Sequence, residues 1–169
     1  MAVITNLKNW LANKPRKISP KYIVMHSDAG RWLGSLATLI AKGYSYHLYI
    51  HRDGSVTQCV PLNRIGFHAG ITEKGSDGTQ VSNSNSIGIC FENFNDGKDK
   101  YTPAQIKAAK ELVAEIAANT PSVTHITTHR LITLNPDKSG RSRKVDPLGL
   151  DVEQFANGLK VWKPWPNAR

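Results

Sequence analysis

The residues best suited to chemistry in this chain fall between Thr124 and Pro147, THITTHRLITLNPDKSGRSRKVDP. A β-branched run, Val123 to Thr128, delivers His129. After a crossing rich in Gly, Pro, Lys and Arg the chain reaches Lys144-Val145-Asp146-Pro147. An imidazole leaving a strand, followed by an ammonium and a carboxylate two residues apart, offers the donors of half a metal site. His125 and His129 have the i, i+4 spacing that would share one ion on a helix, but Ile126-Thr127-Thr128 are poor helix formers. In a strand, residues four apart lie roughly 13 Å from each other. Two donors each about 2 Å from one zinc cannot be that far apart. At most one of the two is a ligand, and His129, at the strand's end, is the better candidate. In extended chain Lys144 and Asp146 point to the same side, which sets the ammonium beside whatever the carboxylate holds. The competing reading is a surface loop with a basic run and a Pro-stopped turn, and this stretch alone weighs the two equally.

The elements that would position these groups are legible in outline. Lys21 to His26, KYIVMH, is an apolar strand ending in a histidine and followed by Ser27-Asp28-Ala29-Gly30. A histidine there is more often structural than a ligand, unless other donors converge on it. Arg31 to Lys42 places Trp32, Leu33, Leu36, Leu39 and Ile40 on one side of a helix, with Gly43 as C-cap. Tyr44 to His51 reads as a strand with Tyr46, Leu48 and Ile50 on one face. His47, Tyr49 and His51 lie on the other face, read as partly exposed. Arg52-Asp53-Gly54 turns it into a hairpin with Ser55 to Val60.

Gly66-Phe67-His68-Ala69-Gly70 opens a polar loop lasting until Ser86, long enough to suggest a substrate wall or lid, with surface disorder as the alternative. Ile87 to Phe91 is the next strand, with Gly88, Cys90 and Glu92 on one face. A carboxylate at the end of a buried strand is costly unless paired. Thr102-Pro103-Ala104-Gln105 starts a helix with a capping box. Ile106, Ala109, Leu112, Val113 and Ile116 form its apolar stripe, and the helix ends before Pro121. Asp151 caps a last short helix through Phe155. At the front, Leu7, Trp10 and Leu11 within Asn6 to Asn13 predict a short amphipathic helix, with a basic linker between Pro15 and Pro20.

The 169 residues are one domain's worth, without repeats, and carry 22 Lys and Arg against 13 Asp and Glu, a formal charge of +9. That balance favours a polyanionic partner: nucleic acid, a membrane surface or an anionic cell wall. No zinc-finger spacing or aromatic RNA-binding box selects nucleic acid. Cys59 and Cys90 are too few for a disulfide framework and read as buried thiols. No apolar run has membrane length, and the start, MAVITNLKNWLANKPRK, lacks a secretory signal's hydrophobic segment. The expectation is synthesis in the cytoplasm and, if the protein leaves the cell, exit by a route other than a secretory signal.

Five pieces occur in a telling order. They are His26 after a core strand, Gly43-Tyr44-Ser45-Tyr46-His47 leading to Arg52-Asp53-Gly54, Phe67-His68-Ala69-Gly70, Asn85-Ser86-Ile87-Gly88-Ile89, and Lys144-x-Asp146-Pro147. Together, over roughly residues 21 to 155, the chain resembles the zinc-dependent N-acetylmuramoyl-L-alanine amidases. That family includes amidase-type phage lysozymes, peptidoglycan-recycling amidases and animal peptidoglycan recognition proteins. The resemblance implies an α/β fold, a single domain over 1–169 with a central mixed β-sheet flanked by helices. Residues 1–20 would be the N-terminal helix and linker, and 21–160 the core.

The same resemblance implies zinc held by His26, His129 and Asp146, with the fourth tetrahedral position left for water. Lys144, Glu92 and Tyr46 match catalytic positions. Glu92 would take or orient the attacking water's proton, Lys144 would stabilise the oxyanion with zinc, and Tyr46 would donate a hydrogen bond. His68 and Trp32 are expected to contact substrate. The bond cleaved would join the muramic acid lactyl group to L-alanine in peptidoglycan.

Departures from the family pattern are Ser27-Asp28-Ala29 after the first ligand and a longer loop before Asp146. That loop carries Lys138, Arg141, Arg143 and Lys144, expected to face the anionic wall. With no separate wall-binding module, the domain's own charge would localise it. The leading expectation is a monomeric phage-type endolysin without nucleic-acid partners or a transmembrane segment. A recycling amidase acting on muropeptides, a non-catalytic peptidoglycan-binding module and a basic nucleic-acid-binding domain are the rivals.

Overall fold

A computed structural model describes residues 4–134 and 144–159 of the chain. In order, the elements are β1 (Ile4–Asn6), β2 (Asn13–Lys17), β3 (Tyr22–Ser27), α1 (Trp32–Lys42), β4 (Leu48–Ile50) and β5 (Val56–Gln58). They continue with β6 (Arg64–Gly66), β7 (Ser86–Phe91), α2 (Pro103–Asn119), β8 (His125–Thr128), α3 (His129–Ile132) and α4 (Val152–Ala156). Six strands form one mixed sheet in the order β1-β5-β4-β7-β3-β8, and β2 pairs with β6 in a small second sheet. Only β4 and β5, the predicted hairpin, run antiparallel within the large sheet. The expected α/β class with a central mixed sheet is what the chain adopts. Lys138, Arg141 and Arg143 lie outside the described residues.

The sheet is covered on both faces, so β3 and β7 are buried along their whole length. On one face, Ala109, Leu112, Val113 and Ile116 of α2 pack with Ile23, Met25, Ile50, Ile87, Ile89 and Phe91. A capping box sets where α2 begins: Thr102 Oγ1 accepts from the Gln105 amide at 3.0 Å and Gln105 Oε1 accepts from the Thr102 amide at 3.0 Å. On the other face, α1 covers Tyr49 and Cys90, while Ala69, Val81 and Ile132 cover Tyr22 and Val24. The site is built on this second face. No helix among the described residues is long and apolar enough to cross a membrane.

Four local readings change. The segment Asn6 to Asn13, predicted as a helix, instead lies along the sheet edge. Ile4–Asn6 pair with Val56–Gln58, and the Leu7 and Leu11 amides donate to Gln58 O and Cys59 O, each at 3.0 Å. Three asparagines lower the segment's helix propensity, and the open edge of β5 offers hydrogen bonds that a marginal helix would forgo. The predicted basic linker is partly β2, whose register against β6 shifts between Lys14 and Lys17, the kind of irregularity that tolerates Pro15.

In α1 the apolar stripe is narrower than expected. Leu39 is buried and Trp32 and Leu36 pack beside it, but Leu33 is 79% and Ile40 65% exposed. At 3.6 residues per turn both sit about 80–100° off that line. His47, expected on a partly exposed face, is fully buried. Its Nδ1 accepts from the Gly88 amide at 3.0 Å and its Nε2–H donates to Arg64 O at 2.9 Å, tying β7 to β6. Apart from these changes, the loop up to Ser86 is anchored by bridges Thr72 to Thr133 and Lys74 to Gln80.

Candidate metal centre

The register of β8 against β3 builds half of the site. Met25 stands opposite Thr128, so the next residues, His26 and His129, come level at the carboxyl ends of two parallel strands. Thr128 Oγ1 caps α3 by accepting from the Leu131 amide at 3.3 Å, and the chain turns there from strand to helix. The two imidazole rings end 4.7 Å apart. Asp146 is brought in by its backbone: the Arg130 amide donates to Asp146 O at 2.9 Å. Asn95 Oδ1 then takes the Leu148 amide at 2.6 Å and Ser27 Oγ at 2.7 Å, fastening the segment to the residue after His26.

Asp146 Oδ2 consequently lies 3.2 Å from Nδ1 of both His26 and His129, and Asp146 Oδ1 lies 3.1 Å from His129 Nδ1. Two ligands bound about 2 Å from one tetrahedral ion are about 3.3 Å apart, so these separations fit a shared cation. The donor types fit as well: two imidazoles and a carboxylate, all within 4.8 Å of one another. His125 is turned elsewhere, with Nδ1 2.7 Å from Thr124 Oγ1 and its ring against Tyr22.

Beside the three donors opens a cleft of about 160 Å³ lined by Tyr44, Tyr46, Phe67, His68, Gly70, His129 and Lys144. Tyr46 is half-buried, its ring 5.0 Å from that of His26, and Lys144 is exposed. Two predicted site residues do not line this cleft. Glu92 accepts from the Trp32 amide (3.1 Å) through Oε1 and from the Arg52 amide (2.9 Å) through Oε2, with His51 Nδ1 at 3.8 Å. It stands just past the end of β7, where its carboxylate satisfies the first turn of α1 and the β4–β5 turn. Trp32 is packed against Tyr49 and His51, with ring centroids 4.7 and 5.0 Å away, so its indole is engaged in holding α1 down.

The family profile described as N-acetylmuramoyl-L-alanine amidase matches residues 15–149. The chain belongs to that family. This amidase, a hydrolase, is 29% identical over 174 residues to the 1,6-anhydro-N-acetylmuramyl-L-alanine amidase AmpD of Salmonella typhimurium, an alignment covering 83% of this chain and 86% of the relative. Among solved structures it is similar to the amidase AmiD from E. coli, which was solved with anhydro-N-acetylmuramic acid-L-Ala-D-gamma-Glu-L-Lys. That match is 28% identical, covers 70% of this chain and 51% of AmiD, and has a TM-score of 0.58. The endolysin amidase LysCS from Clostridium intestinale shares the fold at 22% identity and a TM-score of 0.71, covering 95% of this chain and 97% of LysCS.

Burial and partners set the charge states in the amidase's site. Burial lowers the His26 pKa to about 4 despite its hydrogen bond to Asp146, which leaves the imidazole neutral near pH 7. Burial alone would raise the Asp146 pKa, but hydrogen bonds to His129 and His26 outweigh it and hold the carboxyl well below its usual range. Desolvation, with Cys90, Asp146 and Asp28 nearby, holds the Tyr46 phenol well above its ordinary value, so it remains a hydrogen-bond donor.

Sequence reading missed the residues that fasten this arrangement. Asn95 joins two segments through one oxygen. Asp28 accepts from Tyr49 Oη, Ser35 Oγ and the Gly30 and Asn93 amides, fixing the chain just after His26. The positive φ of Asn95, 55°, hints at such a turn role only once the backbone is known.

Proposed function

We propose that this amidase uses a zinc ion held by His26, His129 and Asp146 to hydrolyse the bond between N-acetylmuramic acid and L-alanine in cell-wall peptidoglycan, as an endolysin-type enzyme. The observation that carries the reading is the convergence of those three donors at ligand–ligand spacing beside an open cleft flanked by Tyr46 and Lys144. When bound, zinc would supply Lewis-acid polarisation of the amide carbonyl and a lowered pKa for water.

The remaining work falls to the chain's own groups. Tyr46, protonated at any working pH, donates a hydrogen bond toward the oxygen of the tetrahedral species. Lys144 places a positive charge on the same cleft wall. Removing one such donor costs on the order of 2.7 to 4 kcal/mol of barrier in other enzymes. Glu92, with both oxygens committed to backbone amides, acts as a positioning residue for α1 and the β4–β5 turn rather than as a proton acceptor.

The formal charge of +9 supports an anionic polymer as the target. The similarity to AmpD supports a second reading, in which the substrate is a small anhydro-muropeptide. Incubation with purified sacculi and, separately, with anhydro-muropeptides decides both points, with new ends identified by mass. Free L-alanine amino termini from sacculi, lost on chelation and restored by zinc, are expected. Turnover of anhydro-muropeptides alone would favour the recycling reading, and glycan reducing ends would sink amidase chemistry altogether.

A further inference from the structure

We propose that His68, expected from sequence to touch substrate, is instead the positioning residue that fixes the tautomer and orientation of His26 for the metal, through an imidazole–imidazole hydrogen bond anchored on Ser86. This assignment rests on the reading of His26 as a ligand.

Without metal a neutral His26 reaches the Asp146 carboxylate through Nδ1–H, but for Nδ1 to offer its lone pair to a metal instead, the ring must carry its proton on Nε2. Nε2 lies 3.0 Å from His68 Nδ1. For that contact to be a hydrogen bond, His68 Nδ1 must accept, which puts the His68 proton on its own Nε2. Ser86 Oγ stands 3.4 Å from that nitrogen and donates onward to Ser82 O at 2.5 Å. Every link then has one donor and one acceptor, and the direction of the whole chain is set by the carbonyl at its far end.

The relay is rigid and dry. His26 and Ser86 are fully buried and His68 is 7% exposed. The His68 ring lies against Gly88, where an added Cβ would stand 2.7 Å from its Cγ, so β7 approaches it as closely as a glycine allows. Asn83 Oδ1 accepts from the His68 and Ala69 amides at 3.0 and 2.8 Å, clamping the backbone that presents the ring. His68 borders the cleft, yet both its ring nitrogens are engaged inside the protein. His129 differs, because its Nε2 is buried with no hydrogen-bond partner among the described residues. His26 is therefore the ligand whose orientation is set in advance.

Losing an outer partner of a ligating histidine typically weakens metal binding about 10- to 100-fold. Zinc affinity of the metal-free protein, measured by competition with a chromophoric chelator, should fall by that factor in His68→Leu. It should be largely kept in His68→Asn, whose Oδ1 can sit near the Nδ1 position and accept from His26. Circular dichroism establishes that each variant is folded. In metal-loaded wild type, nitrogen-15 NMR of the imidazoles reads the tautomers directly and needs no variant: both His26 and His68 should carry their protons on Nε2. A His68 protonated on Nδ1, or folded His68→Leu binding zinc as tightly as wild type, overturns the proposal and leaves the metal reading intact. Wild type that takes up no zinc overturns both.

Discussion

At the level of single residues, the division of labour turns on where each side chain's polar atoms are spent. Tyr46 and Lys144 face the cleft, so Tyr46→Phe and Lys144→Ala should each lower kcat by about 10² to 10³ while zinc content, measured by elemental analysis, stays at wild type. Glu92 spends both oxygens on the Trp32 and Arg52 amides. Glu92→Gln, which cannot accept with both atoms, should show a lower midpoint in urea but near-normal kcat in the molecules that remain folded. A loss of kcat at unchanged stability would return Glu92 to proton transfer. From the residues alone His129 stands out as a candidate ligand and His26 reads as structural; the resemblance to the amidase family supplies the set His26, His129 and Asp146 and gives Glu92 a catalytic role. A carboxylate past a strand end serves chemistry and backbone capping equally well, and the amides of α1 and the β4–β5 turn that Glu92 accepts from lie far from it in sequence, where local pattern does not record them.

Among the elements, those with local signals were legible, the short β4–β5 hairpin and the Asp151-capped α4 included, while β1 and β2 were not. The α2 helix announces itself by a capping box and a continuous apolar stripe, and β3 and β7 by β-branched runs. The β1 and β2 strands are set by partners far away in sequence, which local periodicity does not record. His47 shows what such partners do to a side chain. Its two hydrogen bonds require a neutral ring, and burial depresses its pKa from 6.5 to about 4. Above pH 6.5 neither folded nor unfolded chains protonate it and it makes no pH-dependent contribution. Between 6.5 and 4 the unfolded chain takes up the proton first, so stability falls as pH falls through this window. His47→Gln should be less stable at pH 7.5 yet lose less of its remaining stability on acidification, read from urea midpoints of metal-free protein at each pH. An unchanged pH slope would mean the burial of this ring is overstated.

Considered as a whole molecule, the amidase pairs a formal charge of +9 with an open cleft beside His129, and charge acts over a distance set by salt. The Debye length is about 10 Å at 0.1 M and shrinks to about 3 Å at 1 M. Release of soluble fragments from sacculi should therefore slow several-fold between about 50 and 500 mM NaCl. Hydrolysis of a small soluble muropeptide should change little over the same range. Equal salt sensitivity for both substrates would remove charge as the means of reaching the wall. Composition foretold this much. What it could not foretell is the approach of residues 26 and 146, which depends on one backbone hydrogen bond from Arg130 and on the shared oxygen of Asn95.

That approach has a consequence for how the chain comes apart. A cation gripped by His26 and Asp146, as proposed, would act as a rivet across 120 positions of sequence, fastening the margin of the sheet at β8 and α3 to its centre. Stripping the ion should let amide hydrogens in β8, α3 and residues 144–148 exchange faster, while those of β7 and α2 keep their protection.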